Sequence, residues 1–447
     1  MATPDPREVV TTKALTVWTA ACIVYIVAIL GRTSFGVASV DAIDRFQVDA
    51  SRIAVFTSVQ VGVYALSQIP MGLLIDRFGP RRMLVAGALI MAIGQIMLGF
   101  TTNYWVAIAA RVLIGMGDAT AFLSVMRILP YWFPLKKTPV FTQLTASFGQ
   151  IGQFLSAVPF LWLLNTSGWT VAFVTLGAIG ILVSLAAFVA VADAPEDSTP
   201  VKAEEKARSG EGRVSLGQAL KTVLTSAICW QAFFIHGVSM LYVNVFALLW
   251  GMPLMTLGMG IPETTAGLVL LANTIAAVIA GPIMGIISAR AGNKRTNVVF
   301  IATLINTASW VVFFLSPDAR GLIAIVVLNI IMAFATPAAN FGFDQIREKL
   351  PNGVVATGTG FGNMGGFLAA MIAAQLVGFL LDFSSNGQSY EWTDFRFAWL
   401  AVFAVWFVYM IGLITTFVTI KRKAAQEKAK KIVIVDEAEP QPHDDDK

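Results

Sequence analysis

Gly72-Leu-Leu-Ile-Asp76-Arg77-Phe-Gly79-Pro-Arg81-Arg82 closes one long apolar segment, and Gly285-Ile-Ile-Ser-Ala289-Arg290-Ala-Gly292-Asn-Lys294-Arg295 closes another, 213 residues on at every matched position. Two loops with glycine, arginine, glycine and a basic pair in register are the mark of a duplicated unit. Around them the chain is 56% apolar and 13% charged, with a mean hydropathy of +0.72. That leaves too little polar surface to cover a water-soluble globule, so the solvent is a bilayer. Apolar stretches of about 20 residues recur, each matching a hydrocarbon core of roughly 30 Å, and a backbone that lipid cannot hydrogen-bond must be helical there. A barrel would need short alternating segments instead. The expected fold is all-α, with twelve transmembrane helices in two pseudo-symmetric six-helix bundles.

The spans are centred near Val27, Val63, Ile90, Gly115, Gly152, Gly180, Met240, Val278, Leu304, Ile330, Ala369 and Phe407. Residues 1–14 are read as an N-terminal segment, 15–192 as the first bundle, 193–225 as a linker, 226–420 as the second bundle and 421–447 as a tail. The linker from Asp193 to Arg213 is polar and charged, and the residues after Ser215 suit a short surface helix. The tail, beginning Lys421-Arg422-Lys423, is expected to lack fixed structure. With both termini cytoplasmic, Arg7, Lys13, Arg77, Arg81, Arg82, Lys136, Lys137, Arg290, Lys294, Arg295, Arg347 and Lys349 fall inside. Only Arg45, Arg52, Arg320 and Arg396 fall outside. This places the protein in the cell membrane, inner or plasma. The sequence pI near 9.0 follows from the inner excess and calls for lipid, not nucleic acid, as partner. Cys22 and Cys229 lie within apolar spans and read as small hydrophobes. No HExxH, serine-elbow or cysteine-pair pattern is present, so no enzyme, metal or cofactor is expected.

Charges at membrane depth cost at least about 2.5–3.5 kcal/mol and face a cavity or a partner. Asp118 lies roughly 21 Å along the fourth span, too deep to snorkel. It suits a proton-coupling carboxylate, or else a packing hydrogen bond. Arg111, two turns earlier on the same face, either snorkels outward or acts with it. Arg32 binds an anion by its bidentate fork if the first helix continues toward Asp41, and snorkels if that helix ends near Gly36. His236 is a proton or substrate group, or a satisfied interior histidine. Gln143, Gln150 and Gln153 form one polar stripe and Gln60, Tyr64 and Gln68 another, either gluing helices or lining a cavity. Asn329, Asn340 and Asn363 add polar candidates. Gly358, Gly360, Gly362, Gly365 and Gly366 imply close packing in the eleventh span, with no preceding strand to make them a phosphate loop. At the loops, Gly72 permits helix contact, Asp76 can accept hydrogen bonds from a neighbouring helix end, and Arg77 and Arg81 can pair with inner carboxylates. Gly79, Gly285, Arg290, Gly292 and Arg295 complete this expected gate, weaker in the second half because Ala289 replaces the acid.

The G-x-L-x-D-R-x-G-x-R-R pattern resembles the loop signature of the major facilitator superfamily, with six-plus-six spans covering essentially the whole chain. Arg32 together with Arg111-Val-Leu-Ile-Gly115-Met-Gly117-Asp118-Ala119 is similar to the anion:cation symporter branch, as are Trp132-Phe133-Pro134 and Gly168-Trp169. That resemblance implies a secondary transporter working by alternating access, taking up a small organic anion with protons, as a monomer. By it Arg32 would contact the substrate, and the polar groups read at membrane depth, Tyr64, Arg111, Gln143, Gln150, His236 and Asn363, are the further expected site residues. Asp118 would take the coupling proton where the branch usually has glutamate, and Arg111 would be its electrostatic partner. The branch often has an acid before the first-span arginine, and here Gly31 stands there. The alternatives are a proton-coupled exporter of amphipathic compounds and a transporter-like membrane sensor.

Overall fold

The computed structural model describes residues 8–48, 50–195, 215–386 and 388–438, all helix and connecting loop without a strand. Ten helical stretches are long and apolar enough to cross a membrane, and two of them, residues 138–190 and 263–314, run to 53 and 52 residues. Each is twice what one crossing needs. The first turns back at Gly168 (φ +79°) and the second at Gly292 (φ +48°), backbone conformations that glycine adopts without a Cβ penalty. The described residues therefore make twelve crossings.

The first half comprises spans over Thr12–Val37, Ala50–Phe78, Pro80–Phe100, Tyr104–Trp132, Thr138–Leu155 and the latter part of Leu161–Ala190. The second half repeats this with Ala227–Val245, Glu263–Ala291, Arg295–Phe314, Leu322–Ala335, Val355–Ser385 and Leu400–Ala438. Short helices Ser39–Phe46, Leu216–Thr225 and Trp392–Ala398 lie between spans. Side chains such as Val189 (83% exposed) and Ile323 (80%) face outward, the reverse of a soluble protein, and mark the lipid surface. Inside each bundle small residues allow backbone approach, while aromatic rings fill the ends. Trp310 and Trp399 stack at 4.7 Å in the second bundle, and Trp169 meets Phe173 at 4.4 Å with tilted rings in the first.

Two local outcomes differ from the sequence reading or refine it. The tail continues the twelfth helix to Ala438, because Ala, Glu, Gln and Lys after Ile420 are strong helix formers added to an existing helix and no proline intervenes before Pro440. The surface helix forms at Leu216–Thr225, where Ser215 Oγ accepts from the Gln218 amide at 3.2 Å. Residues 1–7, 196–214 and 439–447 of the expected N-terminal segment, linker and tail lie outside the described residues.

The halves meet along two seams, the second span against the eleventh and the fifth against the eighth. The signature loops and the Leu216–Thr225 helix share one face of the molecule, the linker face.

Candidate transport cavity and gate

A cavity of about 450 Å³ lies between the bundles, and seven of the site residues read from the sequence line it: Arg32, Tyr64, Arg111, Gln143, Gln150, His236 and Asn363. Asp118 does not line it. Its carboxylate is fully buried behind Arg32, which grips it bidentately, Nε to Oδ2 at 2.5 Å and Nη2 to Oδ1 at 2.9 Å. The first helix does end at Val37, yet Arg32 turns inward instead of snorkelling, and its guanidinium carbon sits 4.3 Å from the Tyr64 ring centroid. Arg32 keeps 22% of its side chain accessible, on the cavity side. The guanidinium is thus a partition: one side saturated by the acid, the other open to whatever enters.

Arg111 is 1% exposed, so it does not snorkel. It also makes no ion pair with Asp118: its guanidinium lies 4.7 Å from the Phe35 ring, and Nε and Nη1 have no hydrogen-bond partner. The short side chain of Asp118 is committed to Arg32, and two turns of helix separate the two residues of the fourth span. Both side-chain polar atoms of Gln60, also against the cavity, lack partners as well.

The polar stripes serve both of the roles considered for them. Gln143 donates to Pro337 O at 2.7 Å and accepts from Asn340 Nδ2 at 3.0 Å, joining the bundles. Asn363 Nδ2 reaches Tyr64 Oη at 3.1 Å and Gln68 Oε1 at 2.8 Å across the other seam. Gln150 and Gln153 line the cavity. His236 Nδ1 is 3.4 Å from Ala339 O, beside the Phe343 ring. Asn329 holds a packing position, its backbone carbonyl accepting from Asn273 Nδ2 at 2.8 Å and its own Nδ2 donating to Ile325 O at 2.9 Å. Asn244, which the sequence reading passed over, lines the cavity with an unpartnered Nδ2. It lies two residues before a π-helical turn, Phe246–Trp250, that ends the regular seventh helix, and periodicity does not foretell that break.

The seams are closed at the linker face. Gly72 packs so tightly on the eleventh span that a Cβ there would lie 2.6 Å from Thr357 Cα, and at Gly285 one would lie 2.8 Å from Val140 Cα. Asp76 accepts from the Ala356 amide at 3.0 Å, the Thr357 amide at 2.8 Å and Thr357 Oγ1 at 2.7 Å, all in the first turn of the eleventh span. Those are unsatisfied donors at the positive end of a helix dipole. Arg127, in the same bundle, donates to Asp76 at 3.1 Å.

Other signature residues act within their own bundle. Asp193 accepts from the Arg81 backbone amide at 2.7 Å beside Gly79, while the Arg81 guanidinium caps Phe188 O at 3.0 Å, a carbonyl near the end of the sixth span. Arg77 and Arg290 are exposed. Arg295 ties Ser288 O and Oγ at 2.9 Å to Glu348 at 2.6 Å. Arg347 pairs with Asp344 at 3.1 Å and crosses to Thr142 at 2.9 Å. Thr357 supplies cross-bundle bonds of this gate, while Arg127 and Asp344 hold Asp76 and Arg347 from within their own bundles, and no motif announced these three.

The sequence matches the profile of the Major Facilitator Superfamily over residues 21–374. The chain belongs to the Major Facilitator Superfamily. It is an integral membrane protein. Among similar proteins, the probable sulfoacetate transporter SauU of Cupriavidus necator is 26% identical over 213 residues, 48% of this chain and 49% of that protein. The probable L-galactonate transporter of Escherichia coli is 28% identical over 179 residues, 40% of this chain and 39% of that one. The matched part thus spans about half the length of these curated relatives or less. Among solved structures, the major facilitator transporter FucP in the outward conformation superposes with a TM-score of 0.69 over 90% of this chain and 99% of its own, at 14% identity.

Proposed function

We propose that this superfamily member takes up a small organic anion together with protons by alternating access, as a monomer with its linker face in the cytoplasm. One observation carries the reading: among the described residues, the charged side chains lining the cavity are Arg32 and Arg111, and no carboxylate lines it. Such a field draws an anion in and disfavours the cationic amphiphiles an exporter would handle. Names of similar proteins, sulfoacetate and galactonate transporters, support the same substrate class.

In the mechanism, an anion docks on the open side of the Arg32 fork and competes with Asp118 for it. A carboxylate losing its counter-ion at this depth takes a proton, because the ionised form would be buried without compensation. Substrate and proton are therefore linked wherever the anion displaces Asp118 from the fork. The seams then open at the linker face as the far side closes, with Asn363 and Gln143 handing over their cross-bundle bonds.

The test is flux in proteoliposomes under an imposed pH gradient, with sulfoacetate, D-glucarate and a hydrophobic cation as probes. Gradient-driven anion accumulation is expected, with Arg32→Ala abolishing it and Asp118→Asn leaving exchange but no accumulation. Extrusion of the cation in place of anion uptake refutes the reading, and tight anion binding without flux identifies a sensor.

A further inference from the structure

Burying an unpaired guanidinium is expensive, and Arg111 is one: Nε and Nη1 have no partner at 1% residue exposure. Beside it Gln60, equally buried, presents an amide with neither its donor nor its acceptor used. The two are held together by Gly115, one turn beyond Arg111, where a Cβ would lie 2.8 Å from Gln60 O. Both side chains open on the cavity that Arg32 faces. This is a built polar site on the cavity, and nothing among the described residues pairs with its charge.

We propose that Arg111 and Gln60 form a second anion subsite, and that the substrate is a dianion with one acidic group on Arg32 and the other on Arg111. The proposal rests on the anion reading above and narrows it.

Charge bookkeeping over the closed site decides the class. Arg32 and Arg111 are both cationic, and Asp118 is the one carboxylate paired with either. With Asp118 ionised the site carries one net positive charge, and with Asp118 protonated it carries two. An occluded site surrounded by hydrocarbon strongly prefers neutrality. A monoanion reaches neutrality with Asp118 still ionised, so it gains nothing from a proton. A dianion reaches neutrality only when Asp118 has taken one, so its transport is proton-linked by electrostatics. Gln60, a neutral donor and acceptor, can complete the hydrogen bonds of a carboxylate or sulfonate on Arg111 or of a hydroxyl next to it.

The experiment compares D-glucarate with D-gluconate, which differ in one acidic group, in proteoliposomes of wild type, Arg111→Gln and Gln60→Ala. Wild type is expected to prefer glucarate, with uptake that rises as the outer pH falls, while gluconate uptake stays flat. Arg111→Gln is expected to cut the glucarate-to-gluconate preference on the order of 30-fold or more, the usual effect of truncating a buried charge partner. Gln60→Ala is expected to move it several-fold in the same direction, which keeps the test alive if the arginine variant misfolds. Equal transport of both anions by wild type overturns the second subsite while leaving the anion reading standing. So does an equal loss for both anions in Arg111→Gln, or a chloride requirement for gluconate, which would give Arg111 to an inorganic ion. Failure of wild type to move either anion overturns the anion reading and the subsite together.

Discussion

Asp76→Ala should open the linker face. Among the described contacts, Asp76 accepts from Arg127 inside the first bundle and takes three hydrogen bonds from the eleventh span. Only those three exist solely in the closed arrangement. A hydrogen bond to a charged group nets about 1.5–3 kcal/mol, but on opening both partners meet water. We therefore take about 1 kcal/mol for each, or roughly 3 kcal/mol for the set, more than a hundredfold in the closed-to-open ratio. Spin labels on Lys136→Cys and Asn352→Cys, exposed loop positions on opposite bundles, report that ratio by double electron–electron resonance once Cys22 and Cys229 are replaced by serine. The variant should convert the short-distance population into a long one. Asp76→Asn should give most of the same change, because its amide hydrogens face other donors. An unchanged distribution in both variants would refute the argument that helix-end capping by Asp76 holds the seam.

Other perturbations separate gate from scaffold. Gly360→Val places side-chain atoms against the Gln68 backbone, so the labels should read an opened seam even with Asp76 intact. Asn340→Ala removes one neutral bond to Gln143 and should shift the ratio about fivefold, at roughly 1 kcal/mol. Arg295→Ala breaks ties that stay within the second bundle, to Ser288 and Glu348; it should lower the melting temperature in detergent and leave the label distances alone.

What the sequence made legible and what it hid divide along physical lines. Hydropathy and the loop repeat are one-dimensional signals, so the crossings and the seam glycines Gly72 and Gly285 were readable. Depth made Arg32, Arg111 and Asp118 conspicuous, since a charge in hydrocarbon needs a reason. Their pairing was not readable: the resemblance gave Asp118 to Arg111, while the fold gives it to Arg32, because which of two cations reaches a short carboxylate depends on helix rotation and packing. Arg127 was hidden among basic residues near the linker face, where topology alone accounts for a positive charge. Thr357 was hidden because one of its two bonds comes from a backbone amide, which every residue but proline has, and the other from a hydroxyl of an ordinary helix residue.

The two seams also show why duplicated halves need not be equivalent. By the repeat, Ala289 stands where Asp76 does, and Gly285 meets Val140 as Gly72 meets Thr357. The helix ends they face are different. The eleventh span offers free amides at Ala356 and Thr357, whereas the fifth begins Thr138-Pro139, and Pro139 has no N–H to give. The next amide, Val140, is already bonded to Lys137 O at 3.0 Å. An acid at position 289 would have few donors, so the second half instead secures its seam through Arg347 on Thr142 and Asn340 on Gln143. Ala289→Asp should consequently weaken the closed state, by the cost of a poorly satisfied carboxylate, about 1–3 kcal/mol. The label distances should lengthen. If they shorten or the melting temperature rises, the fifth-span end does have donors to offer, and the asymmetry needs another cause.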